Sequence, residues 1–109
     1  MDERIRVVVA GPGPADGDRR AERIARALRD QGVEVVYTDR PHTPEQLLAT
    51  VVQEDADAVG IVPGADDADP LGTLAGLMAE RGVDDVLVFA GDDGDPAHVA
   101  ARVRDRLRG

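Results

Sequence analysis

Gly11, Gly13 and Gly17 lie in the stretch GPGPADGD, between an apolar run and a helical pattern. In α/β proteins this is where a loop presents backbone N–H groups to a phosphate. The neighbours argue against that chemistry. Pro12 and Pro14 have no N–H to give, Asp16 and Asp18 repel an anion, and the glycine spacing is not that of a dinucleotide fingerprint. A tight turn feeding a helix explains the glycines as well. A second candidate chemistry uses the acids Asp16, Asp18, Asp66, Asp67, Asp69, Asp92, Asp93 and Asp95, since hard cations such as Mg²⁺ or Ca²⁺ take carboxylate oxygens. Asp69 and Asp95 each precede a proline and suit helix caps, and Asp18 has the same option, so a solvated acidic rim is expected and no metal site is assigned. A phosphoryl-accepting acidic pocket would need a neutralising lysine, and the chain has none. His42 and His98 lack a metal-ligand partner three or four residues away and read as surface residues. With cysteine, serine and lysine all absent, thiolate, serine-nucleophile and Schiff-base mechanisms are closed, and no catalytic residue is assigned.

The elements that position these loops alternate four times. Short β-branched runs at Ile5–Ala10, Val33–Tyr37, Ala58–Val62 and Val86–Ala90 are almost wholly apolar, as strands covered on both faces are. Four helices follow them. Ala21, Ile24, Ala25 and Leu28 mark the inner face of the first, which Asp18 caps and Gly32 ends. Thr43-Pro44-Glu45-Gln46 is a capping box ahead of Leu47, Leu48, Val51 and Val52. Asp69-Pro70 opens the third, with Leu71, Leu74, Leu77 and Met78 inward and Gly82 at its end. Asp95-Pro96 opens the fourth, carrying Val99, Val103 and Leu107. The βαβαβαβα order predicts a flavodoxin-like (Rossmann-like) doubly wound parallel sheet, order 2-1-3-4, with helices on both faces. Ligands in such sheets bind at the carboxyl ends of the strands, which here places Gly11–Gly17, Pro63–Asp69 and Gly91–Asp95 along one edge.

Composition bounds the partners. A chain of 109 residues suits one domain, taken here as residues 1–109. The net charge of −9 and the presence of only one tyrosine and one phenylalanine speak against nucleic acid, and against an anionic membrane, as partners. The N-terminal MDERIRVVVAG is too short and too charged for a span or a cleavable signal, so a soluble, cytoplasmic protein is expected.

As a whole the chain resembles the cobalamin-binding domain of methylmalonyl-CoA mutase and related mutases. The likeness is carried by Gly17-Asp18-Arg19-Arg20-Ala21, Gln31-Gly32-Val33-Glu34-Val35, Thr43-Pro44-Glu45-Gln46, Asp55-Ala56-Asp57-Ala58-Val59-Gly60-Ile61 and Val86-Leu87-Val88-Phe89-Ala90-Gly91. It covers nearly all of the sequence apart from the family's fifth strand, relative to which the chain reads as truncated. The resemblance implies that the loop after the first strand should carry Asp-x-His-x-x-Gly, whose histidine ligates cobalt. Aligned through Asp18-Arg19, those positions hold Ala15, Gly17 and Arg20. The family's Ser-x-Leu falls on Val62-Pro63-Gly64, and its Gly-Gly on Gly91-Asp92. By position, then, a cofactor would meet Gly13, Asp16, Gly17, Asp18, Val62, Gly64, Gly91 and Asp92, with neither cobalt's donor nor the carboxylate that orients it.

Three readings follow. One is a degenerate, non-catalytic accessory or assembly partner, with no resident cofactor expected and with a protein partner or a homodimer as its counterpart. Apolar residues near Val86–Phe89 would supply the contact surface. Another is a module still carrying cobalamin in a histidine-free form. The third is acid–base or Mg²⁺-assisted chemistry on the loop aspartates.

Overall fold

The computed structural model describes residues 4–11, 19–38, 43–62, 70–83, 85–90 and 95–108. Four strands, β1 (Arg6–Ala10), β2 (Glu34–Thr38), β3 (Ala58–Ile61) and β4 (Leu87–Ala90), alternate with four helices, α1 (Arg20–Asp30), α2 (Pro44–Gln53), α3 (Pro70–Glu80) and α4 (Pro96–Arg108). All strand pairs are parallel and the order is β2-β1-β3-β4, as the alternation of elements predicts. The central strands β1 and β3 are buried almost throughout, whereas β2 and β4 at the two edges are half-buried.

Strand alternation divides the core into two layers. Val7 and Val9 of β1, Ala58 of β3 and the nearby Val62 face α1 and α4, where Ala21, Ile24, Leu28, Ala100 and Val103 close the layer. Val8, Ala10, Val59 and Ile61 face α2 and α3, meeting Leu47, Leu48, Val51, Leu74 and Met78. Both faces of the sheet are therefore covered, the doubly wound arrangement. One row of the α1/α4 face is unusual. Tyr37, Val9, Gly60 and Phe89 stand opposite one another across the four strands. The Phe89 ring lies over Gly60 so closely that a Cβ there would sit 2.3 Å from its Cζ. Glycine is needed at 60 because that space belongs to the ring.

The helices begin and end largely as their sequences dictate. Thr43 Oγ1 accepts from the Gln46 N–H at 3.1 Å and Gln46 Oε1 accepts from the Thr43 N–H at 2.9 Å, completing the capping box. Asp95 Oδ1 accepts from the Ala97 N–H at 3.1 Å and caps α4. The start of α1 differs from expectation. Its N-cap position is Arg19, whose side chain makes no capping bond, one residue beyond the aspartate expected to cap it; Asp18 itself lies outside the described residues. Val52 is a second correction, for it is 60% exposed rather than inward. At roughly 100° per residue, Leu47, Leu48 and Val51 already fill the inner stripe, and Val52 falls about 90° from its centre. The strands also start one residue later than the apolar runs at β1, β2 and β4, because the runs include the turn residue that enters the strand. No helix among the described residues is long and apolar enough to cross a membrane.

Candidate functional site

The carboxyl ends of the four strands lie in one line. Ala10 stands opposite both Thr38 and Ile61, and Ile61 stands opposite Ala90. The Gly11 N–H donates to Thr38 O at 2.8 Å and the Val62 N–H to Ala10 O at 2.9 Å, so the ladder is carried one residue past β1 and β3. The loops that follow β1, β3 and β4 therefore leave from one edge, and α1, α3 and α4 begin after them. Of the residues assigned to a cofactor by position, Val62 is described. It is 1% exposed and packs in the α1/α4 core layer, so its side chain supplies packing under the edge. Gly13, Asp16, Gly17, Asp18, Gly64, Gly91 and Asp92 lie outside the described residues, as does His42.

The described parts of this edge carry little reactive chemistry. His98 is exposed in the first turn of α4, its N–H donating to Asp95 O at 2.9 Å. Asp95 is committed to capping. Among the described residues no group of three histidine, aspartate or glutamate side chains is arranged to hold a metal ion. The opposite, amino-terminal end of the sheet is instead tied by Arg6. Its guanidinium donates to Glu54 O at 2.8 Å and to Glu34 Oε2 at 3.2 Å, and its own N–H donates to Asp57 Oδ2 at 2.9 Å. One residue, by its side chain and its backbone, thus links β1 to the entries of β2 and β3. An arginine at the start of an apolar strand gave no hint of this in sequence, since its partners lie 28 to 51 residues away.

Charge is distributed unevenly. Although the chain carries −9 overall, α1 and α4 have four arginines each and pack against one another on one face. Arg104 of α4 bonds Gln31 at the end of α1 and Asp105 beside it. Along β4, on the side away from β3, runs a groove of about 680 Å³ floored by Leu87 to Ala90 and walled by Leu71 of α3 and by Val99, Arg102, Val103, Asp105 and Arg106 of α4. The strand run Val86–Ala90 was legible as apolar, and the predicted order 2-1-3-4 already placed it at an edge; the groove that α4 forms beside it was not legible.

Comparison with known proteins decides the family. The small subunit of 2-hydroxyisobutanoyl-CoA mutase from Aquincola tertiaricarbonis is 38% identical over 93 residues, which span 84% of this chain and 68% of that subunit. The chain belongs to the mutase small-subunit family. That membership bears out the resemblance to mutases carried by its sequence. No protein-family model matches the chain. Among solved structures, the crystal structure of a flavodoxin-like domain from a Synechococcus species covers 91% of this chain and 73% of its own, at 21% identity and a TM-score of 0.44.

Proposed function

We propose that this mutase small-subunit homologue is a single module over residues 1–109 that serves an acyl-CoA mutase as an accessory or assembly partner. In this reading it performs no catalytic step and does not ligate cobalt through a histidine. The observation that carries it is the donor set after β1. Gly11–Arg19 contains no histidine, cysteine, methionine or lysine, so the loop at the position of the family's cobalt ligand offers carboxylates and proline in place of a nitrogen donor. His98, the histidine described, stands on α4 in solvent, with its backbone bonded to the capping Asp95. These residues do not fit a histidine-ligated cobalamin. The support for a mutase context is the 38% identity to a mutase small subunit, together with a strand order that would present the loops to a partner from one edge.

The test is a titration of the purified protein with hydroxocobalamin and adenosylcobalamin, read by visible spectrum and by co-elution on gel filtration. The expected result is an unchanged cobalamin spectrum and separate elution, with the protein folded by circular dichroism. Co-elution with a base-off spectrum would overturn it and return the module to cofactor carriage, with His98→Ala and His42→Ala as the first variants. Co-elution with the cofactor's own base still on cobalt would favour the second reading, a histidine-free carrier.

A further inference from the structure

We propose that the edge of β4 left unpaired among the described residues receives an extended, acidic-apolar segment of the partner protein, which adds as a strand and fills the groove between α3 and α4. The proposal rests on the reading above in requiring a protein partner, and adds where and how that partner is gripped. An edge strand presents unpaired N–H and C=O groups, and proteins usually blunt such edges by keeping them short or with charge, proline or a bulge. Leu87-Val88-Phe89-Ala90 is four residues long, but it carries no charge and no proline and its register with β3 is uninterrupted. The other edge is different: β2 carries Glu34, held by Arg4 at 3.5 Å and by Arg6 at 3.2 Å. β4 is built as a strand that something covers.

The groove has the form that an added strand requires. Successive side chains of such a strand point to opposite faces, and the groove offers a wall to each. One wall is Leu71 of α3 beside Val88; the other is Val99 and Val103 of α4 beside Leu87 and Phe89. The space exists because α4 leans on α1 and its backbone is set back from β4. Charge then specifies the occupant. Arg102 and Arg106, one helical turn apart and exposed, line the α4 wall, and among the described residues neither has an ion-pair partner. Asp105, between them in sequence, also lines the groove, but its carboxylate is held by Arg104 at 3.2 Å. Two guanidiniums with no ion-pair partner among the described residues, above an apolar floor, fit a segment whose outward positions on that side are carboxylates. A second copy of this chain fits poorly. Antiparallel pairing of β4 with its copy about a two-fold axis normal to the sheet sets α4 beside α4, opposing Arg102 and Arg106 with their copies.

The test uses the ¹⁵N-labelled full chain and two capped eight-residue peptides, one alternating valine with glutamate and the other valine with lysine. The glutamate peptide is expected to shift the amides of Leu87–Ala90 and slow their hydrogen exchange, and to bind about ten-fold more tightly than the lysine peptide. In the R102E/R106E variant, whose two sites are exposed and whose fold is checked by circular dichroism, the preference reverses. Equal binding of both peptides, binding that leaves the β4 amides untouched, or no binding overturns the proposal. So does protection of the β4 amides that rises with protein concentration alone and accompanies a dimeric mass, for the edge then belongs to a second copy. Cobalamin is absent from every arm, so this result and that of the cofactor titration fail independently.

Discussion

Gly60 and Phe89 show how one position in a strand is fixed by a neighbour rather than by its own backbone. A methyl group at 60 would sit 2.3 Å from the Phe89 ring, well inside contact distance, so Gly60→Ala must push the ring off the sheet or bend β3. Overpacking of this kind typically costs about 1–3 kcal/mol. Removing the ring alone, Phe89→Ala, loses apolar contact at a half-buried site and is expected to cost about 2 kcal/mol, less than a fully buried aromatic. The two losses share one space, so the double variant should be more stable than the sum of the singles by about 1 kcal/mol or more in urea unfolding. Additive losses would show that the ring moves aside freely. Of this pair only the residue types were legible: glycine in an apolar strand marks a close approach, but which ring approaches depends on the β3–β4 register.

At the level of elements, three helix ends repeat one device. After α1, α2 and α3 the chain turns through a left-handed residue, Gly32 at φ +81°, Asp55 at φ +52° and Gly82 at φ +74°, and the next residue's N–H returns to a carbonyl five residues back. Two of these positions hold glycine as their sequences announce, but Asp55 takes the same conformation with a side chain. Aspartate tolerates it through its short polar side chain, whereas a β-branched residue does not. Asp55→Val is therefore expected to lower stability by about 1–2 kcal/mol, while Asp55→Gly stays within about 0.5 kcal/mol of the parent. Equal midpoints for all three proteins in urea would remove the account. The caps of α2 and α4 were legible because proline and a capping side chain sit together in sequence. Asp95→Ala should cost about 1 kcal/mol. The edge status of β4 followed from the predicted order 2-1-3-4; what was not legible is that α4 packs on α1 and leaves a groove along that edge, since helix packing comes from the assembled crossovers.

The whole molecule separates its charges: arginines gather on the α1/α4 face, while the loops after β1, β3 and β4 are rich in aspartate. That the loops share an edge was legible, because parallel crossovers leave no other place for them. What the loops bind was not, since the residue types retained there serve capping and solvation as readily as any ligand. The charge pattern nevertheless sets the response to salt. The ion pairs described are largely exposed, such as Arg4–Glu34 and Arg19–Glu22, and pairs of that kind contribute about 0–1 kcal/mol each. Repulsion among the remaining acids of a −9 chain opposes the compact state, and salt screens it over about 10 Å at 0.1 M. With few strong pairs to lose, the net effect of salt is stabilising. The melting temperature is expected to rise by a few degrees between about 10 and 200 mM NaCl, and by no more in MgCl₂ at equal ionic strength. A fall with NaCl would mean that the arginine face contributes more than the acids cost. A larger rise in MgCl₂ than in NaCl would mean a specific divalent site among the loop aspartates, and would return them to chemistry.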